Sequence, residues 1–213
     1  MSSPDVRKLT LTEKASLLSG HDFWTTTALP EHGVGSVTLA DGPHGLRYQR
    51  GAPDHLAIYA SEPATCFPPA VAVGSSWDPD VAHRVASAIA QEARALGVHV
   101  VLGPGVNIKR SPLCGRNFEY YSEDPLLSGV LGVAHVRGLQ ERGVGASVKH
   151  FAVNNQETER LRISADVDER TLREIYLAAF ERIVIEVDPA TVMCSFNKIN
   201  GVYAAENHWL LTE

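Results

Sequence analysis

Apolar positions along this chain fall into two alternating patterns: short continuous runs, and longer stretches in which apolar residues recur at helical spacing. The short runs predict strands at Val34 to Leu39, Val98 to Leu102, Ala146 to Val148 and Thr191 to Phe196. The first of them ends in the β-branched set Val37-Thr38-Leu39 and halts at Asp41-Gly42-Pro43. Between strands, Val81, Val85, Ile89 and Ala93 predict an amphipathic helix from Asp78-Pro79 to Leu96-Gly97, the Asp-Pro pair supplying an N-cap and a first-turn proline. Asp124-Pro125 repeats the device ahead of Leu131, Ala134 and Leu139, and that helix runs to Gly143. Asp168 starts another, with Leu172, Ile175, Ala179 and Ile183 on one face and Asp188-Pro189 closing it. Near the N-terminus, Thr10 and Glu13 form a capping box ahead of Ala15, Leu17 and Leu18, with Gly20 placed to end this lid-like helix in a left-handed conformation. Asn207 caps a last helix beginning His208-Trp209-Leu210-Leu211. Residues 50–70, rich in Pro and Ala without periodicity, predict a long loop.

Strands alternating with single amphipathic helices predict a parallel sheet with right-handed crossovers. A dinucleotide-binding sheet needs G-x-G-x-x-G directly after a strand and opening a helix. Gly33-Val34-Gly35 precedes its strand instead, and Gly103-Pro104-Gly105 has Ile108 where the third glycine belongs. In a barrel, polar residues from many strand ends converge on one mouth, and Asp41, Asn107, Arg116, Lys149 and Asn197 stand at such ends. The fold class is therefore α/β, a (β/α)8 TIM-type barrel with parallel strands. A complete barrel takes about 250 residues, so the 213 residues here are expected to form one incomplete barrel domain, 1–213.

Composition narrows the chemistry. With 44% apolar residues the chain buries a sizeable core, and a formal charge of -6 offers no basic stripe to replace phosphate counterions. Nucleic acid is excluded as a partner, and a neutral, polyhydroxylated small molecule fits better. The opening MSSPDVRKLTLTEK has no apolar core of a secretory signal, and no run approaches eighteen apolar residues, so a cytoplasmic protein without membrane contact is expected. Cys66, Cys114 and Cys194 lie far apart outside any C-x-x-C pattern and are expected to be small buried hydrophobes. The nine histidines show no paired ligand spacing, so neither a metal nor a cofactor is implied.

The working end is placed at Gly145 to Arg160, GASVKHFAVNNQETER, where a buried strand delivers Lys149 and His150 at its end, ahead of a polar loop. Asp41 and Arg116 stand at other strand ends. A carboxylate accepts from two sugar hydroxyls at once while Arg and Lys donate to hydroxyl oxygens, so the set reads as a grip on one pyranose ring.

At these residues the chain resembles the N-terminal domain of glycoside hydrolase family 3, on its β-glucosidase side. The matching segments are LADGPHGLR (39–47), NIKRSPLCGRNFEYYSEDP (107–125), SVKHFAVNNQETER (147–160) and VMCSFNKING (192–201), in the family's order and across nearly the whole chain. The resemblance implies that Asp41, Arg47, Arg116, Lys149, His150 and Arg160 line the subsite for the non-reducing sugar, with Met193 nearby. Glu119 and Glu123 are left as partners for nearby Arg or backbone groups, and Asp124 as an N-cap. Phe196 stands where many relatives have a tyrosine, removing a hydroxyl from the pocket wall, and Cys194 beside it is a minor variation. Ala152-Val153-Asn154-Asn155 replaces the glycine- and histidine-rich loop of the N-acetylglucosaminidase branch, favouring a glucosidase-type substrate.

The resemblance also implies retaining hydrolysis of non-reducing β-D-glycosyl residues, which needs two carboxyl groups about 5 Å apart. It places the nucleophile, an aspartate, on the strand after the Asn207 helix and the acid/base glutamate in a second domain. The sequence ends at Glu213, before that strand, so no catalytic residue is assigned within it. The intact enzyme is expected to be the hydrolase, and this chain to bind sugar weakly without turnover. A non-catalytic sugar-binding module is the alternative, and a nucleotide-dependent oxidoreductase is disfavoured by the missing glycine fingerprint.

Overall fold

A computed structural model describes residues 5–42, 44–50 and 60–213. Pro43 of the Asp41-Gly42-Pro43 turn and positions 51–59 of the long loop lie outside the described residues. Four parallel strands form the main sheet: β1 (Leu39–Ala40), β2 (Val100–Val101), β3 (Gly145–Phe151) and β5 (Thr191–Cys194). The strand β4 (Ser164–Ala165) pairs with β6 (Lys198–Ile199), which turns back into β7 (Val202–Tyr203) as a second, three-stranded sheet. Helices α2 (Ala70–Ser75) and α3 (Pro79–Ala95) connect β1 to β2, and α4 (Pro125–Gln140) connects β2 to β3. From β3 to β5 the chain passes through α5 (Glu169–Thr171), a π turn (Leu172–Leu177) and α6 (Ala178–Val187). Outside this series lie α1 (Leu11–Ser16) and α7 (His208–Thr212). The result is an incomplete (β/α)8 TIM-type barrel, an arc of parallel strands backed by helices.

Each predicted helix start has its cap. Asp78 accepts from the Asp80 N–H, Asp124 from the Leu127 N–H at 2.8 Å, and Asp168 from the Thr171 N–H at 3.0 Å. The capping box of Thr10 and Glu13 is complete. The core forms where α4 lies between α3 and α6, so α4 is buried nearly all round. Small residues permit the approach: a Cβ on Gly138 would come 2.5 Å from the His83 carbonyl, and one on Gly132 would meet Ile183 at the same 2.5 Å.

Several boundaries and faces differ from the sequence reading. The run Val34 to Leu39 is a strand only at its end, because Val34 and Thr38 make isolated antiparallel bridges to Leu29 and Thr25 instead. The strand expected at Val98 to Leu102 contracts to Val100–Val101. The strand expected at Ala146 to Val148 runs through Phe151, so Lys149 and His150 lie inside it. At the other edge, β5 stops at Cys194 and leaves Phe196 exposed. The short helix α1 ends at Ser16, and Gly20 is not its left-handed cap. On α3 the fully buried stripe is Ala82, Ala86, Ile89, Ala90 and Ala93, while Val81 and Val85 sit at its margin; the closeness of α4 favours alanine at the contact. Helix α2 was not expected, since six residues after two prolines give too little periodicity to read. Of the cysteines only Cys114 is buried; Cys66 is exposed and Cys194 half-buried. Among the described residues no helix is long and apolar enough to cross a membrane.

Candidate active site

Asp41 follows β1 and is held there by a tight turn in which the Arg47 N–H donates to the Asp41 carbonyl at 2.6 Å. Gly42 makes this turn possible: its φ is +131°, and a Cβ would lie 1.7 Å from the Gly45 carbonyl oxygen. Lys149 arrives from β3. Its Nζ donates to Asp41 Oδ1 at 3.0 Å and lies 3.6 Å from Glu119 Oε2. Arg116 opens a 3-10 turn at Asn117–Glu119, which brings its Nε onto the other oxygen of Glu119. Two connections and one strand of the barrel therefore supply one cluster.

A second line of contacts starts at His150. The pairing of β3 with β5 sets Lys149 opposite Met193 and Phe151 opposite Cys194, so His150 is skipped by a bulge that re-aims its side chain. Its backbone is clamped by Asn107, whose Nδ2 donates to the His150 carbonyl at 2.9 Å and whose Oδ1 accepts from the His150 N–H at 2.8 Å. The Tyr120 hydroxyl lies 3.0 Å from His150 Nδ1, and Asn154 Nδ2 donates to that hydroxyl at 3.1 Å. Asn154 Nδ2 also reaches Glu157 Oε1 at 3.2 Å, and Arg160 Nη1 donates to Glu157 Oε2 at 2.7 Å.

The structure thus joins Asp41, Lys149, Glu119 and Arg116 in that order through successive side-chain contacts, and links His150 to Arg160 through Tyr120, Asn154 and Glu157. Met193 sits beside Lys149 by register. Arg47 joins Asp41 through the backbone, while its guanidinium lies 5.7 Å over the Trp24 ring and donates to Gln49 at 3.5 Å. The Phe196 ring is exposed, with the Arg160 guanidinium 5.3 Å above it. A hollow of about 860 Å³ lies alongside, lined by Arg110, Cys114, Asn155, Ile163 and Asn197, and it meets the cluster at Glu157.

Charge is balanced across the site. Asp41, Glu119 and Glu157 face Lys149, Arg116 and Arg160 in hydrogen-bonded ion pairs and one longer contact, so the whole presents dipoles rather than net charge. Burial pushes the Asp41 carboxyl up, but the Lys149 ammonium, the Gly42 N–H and Arg116 together hold it below the usual carboxylate range. Burial drives the His150 imidazole far below its ordinary value, and Arg116, Lys149 and Arg160 push the same way, so it stays neutral. Burial likewise raises the Tyr120 phenol, which remains protonated.

Sequence reasoning left Glu119 aside and did not single out Tyr120. Glu119 does pair with a nearby arginine, but it is also 3% exposed beside Lys149, a contact spanning thirty positions that no local spacing reveals. The readable signal was a glutamate three residues after Arg116 with no helix to place it on. Tyr120 resembled any buried aromatic.

Residues 58–213 match the family described as the glycosyl hydrolase family 3 N terminal domain. The chain belongs to that family. The exo-α-(1→6)-L-arabinopyranosidase of Bifidobacterium longum is 54% identical over 211 residues, 99% of this chain and 28% of that protein. The family 3 β-glucosidase crystal structure from Bifidobacterium adolescentis superposes with a TM-score of 0.89 at 53% identity, over 99% of this chain and 30% of that one. β-Glucosidase 3B from Thermotoga neapolitana, solved with glucose, gives a TM-score of 0.86 at 42% identity, over 97% of this chain and 30% of that one. The chain spans 28% of the length of the curated relatives it matches at 53% and 54% identity.

Proposed function

We propose that this chain is a partial barrel domain carrying the sugar-binding subsite of a retaining family 3 glycosidase that acts on non-reducing β-D-glucosyl residues. The observation that carries the reading is the contact of Lys149 with Asp41 across 108 positions of sequence, with Glu119 and Arg116 completing a neutral cluster. Asp41, at 38% side-chain exposure, is the open acceptor for ring hydroxyls, and Lys149 holds it ionised and oriented. Arg116, His150 and Arg160 supply donors along the same face, with Arg47 and Met193 at its margins. Each hydrogen bond to a charged group contributes roughly 1.5 to 3 kcal/mol, and their number suits one pyranose ring.

Asp41 and Glu119 both face Lys149, close enough together to suggest a hydrolytic carboxylate pair. Their environments argue otherwise. A general acid needs a raised pKa, whereas that of Asp41 is lowered, and Glu119 is sealed between Arg116 and Lys149. In this reading the pair binds, and the nucleophile and acid/base come from other residues of the intact protein.

A second substrate is favoured by the similarity to the Bifidobacterium longum arabinopyranosidase, which equals that to β-glucosidases. An α-L-arabinopyranoside also has a six-membered ring with an equatorial leaving group, but it lacks the hydroxymethyl group of glucose and carries its 4-hydroxyl axial where glucose has it equatorial. Turnover of aryl β-D-glucosides and aryl α-L-arabinopyranosides by the intact protein, followed by NMR for the anomeric configuration of the first product, tests both. Retention with either substrate is expected. Inversion, or turnover of neither glycoside, sinks the proposal.

A further inference from the structure

We propose that Tyr120 and Asn154 are positioning residues that lock the His150 ring with its proton on Nε2, so that the imidazole offers a neutral N–H donor to a sugar hydroxyl. The inference rests on the sugar-site reading only for what that N–H meets; the tautomer itself is a property of the folded chain.

The assignment follows from donors and acceptors taken in turn. The Glu157 carboxylate, which only accepts, lies 3.2 Å from Asn154 Nδ2 and so fixes which end of that amide is the donor. The same Nδ2 lies 3.1 Å from the Tyr120 oxygen, which must therefore accept from it. Tyr120 is fully buried, and its own hydroxyl proton needs an acceptor. Among the described residues the acceptor in reach is His150 Nδ1, at 3.0 Å. Nδ1 then carries a lone pair, and the ring proton resides on Nε2.

The opposite tautomer fits worse. With the proton on Nδ1, the ring would donate to Tyr120 or to Asn107 Oδ1 at 3.3 Å. Asn107 Oδ1 already accepts the His150 backbone N–H at 2.8 Å and has one further lone pair for this longer contact, and the amide cannot flip, because Nδ2 is engaged by the His150 carbonyl. The Tyr120 proton would then be stranded in the interior, a cost that a buried donor rarely bears. On the far side of the ring, Nε2 has no hydrogen bond to any described residue, and the residue keeps a small exposure of 5%. Three side chains outside the direct grip on the sugar, Glu157, Asn154 and Tyr120, thus determine what His150 can do. An Nε2–H donates to a hydroxyl oxygen, where a bare Nε2 could only accept.

The test is long-range 1H–15N correlation NMR on the intact protein labelled with 15N only in histidine, the His150 signals assigned by their loss in His150→Asn. A pyrrole-type Nε2 and a pyridine-type Nδ1 are expected in the unsubstituted protein; the reverse pattern overturns the proposal whatever the variants do. Tyr120→Phe removes the hydroxyl and keeps the ring, and is expected to give mixed tautomers, a rise in KM of about tenfold and a smaller fall in kcat. An unchanged Nε2–H pattern in a folded Tyr120→Phe would show that the hydroxyl does not hold the tautomer. Absence of glycoside turnover in the unsubstituted protein would instead fall on the sugar reading, since the NMR pattern is read without substrate.

Discussion

Replacing Lys149 by Met keeps the length of the side chain and deletes its charge, which makes it the sharpest probe of the cluster. Lys149 Nζ stands 3.0 Å from Asp41 Oδ1 and 3.6 Å from Glu119 Oε2, and the Lys149 and Glu119 side chains are each 3% exposed. At an effective dielectric of about 20, the gross attraction at the longer distance is roughly 4 to 5 kcal/mol. Part of that is offset by desolvation, but the Lys149→Met protein keeps the desolvated carboxylate and loses its partner. Breaking a buried pair in this way costs about 3 to 5 kcal/mol. Arg116 still neutralises one oxygen of Glu119, and Asp41 can rehydrate, so the lower end of the range applies. Urea unfolding at pH 7 of the parent, Lys149→Met, Glu119→Gln and the double variant supplies the cycle. The double variant should be more stable than the sum of the singles by about 1 kcal/mol or more, because the buried Glu119 carboxylate that Lys149→Met strands is then gone. A Lys149→Met loss under about 1 kcal/mol, or singles that simply add, would refute the electrostatic account.

Three further outcomes are expected. His135 is buried against Tyr121 with its pKa brought down to about 4, and His150 is depressed further, whereas the unfolded chain titrates near 6.5. Below pH 6.5 the unfolded state therefore binds protons that the folded state excludes, and stability falls by about 1.4 kcal/mol per pH unit for each group. His135→Gln should flatten the slope between pH 6.5 and 4 in urea titrations, and an unchanged slope would show that His135 is not the group responsible. In the intact protein Asp41→Ala should lower kcat/KM about a hundredfold, near 3 kcal/mol of transition-state binding; a loss under fivefold would remove Asp41 from the subsite. Among the described residues the outer edge of β5 is unpaired, Val192 is 42% exposed, and an apolar hollow of about 310 Å³ opens among Phe151, Phe180, Val184 and Leu211. The purified 213-residue chain should therefore self-associate in gel filtration, and a monomer with a cooperative melt would contradict this.

The capped helix starts were legible because capping is local: Asp78, Asp124 and Asp168 each act within three residues of their own position. The order of the four main-sheet strands and of the helices α3, α4 and α6 followed from periodicity for the same reason, whereas α2 and the small sheet of β4, β6 and β7 carried too few residues each to read. Strand limits were less legible, since a ladder ends where its neighbour ends, and β1 and β2 are short because they pair over a single two-residue overlap. The buried face of α3 also departed from the largest residues, because the approach of α4 selects for small ones.

At the site, the residue types and their segments were on the page from the start, and the resemblance to family 3 picked out Asp41, Arg116, Lys149 and His150 as one group. By itself the sequence determined which chemistry was available and which local elements would carry it, because caps, turns and periodicities act over a few residues. Only the tertiary structure decided that Glu119 is wedged between Arg116 and Lys149, and that Tyr120 and Asn154 hold one side of His150. Those contacts join β3 to the loop before α4, and a contact between distant segments depends on how helices and strands pack, which no short stretch of chain encodes.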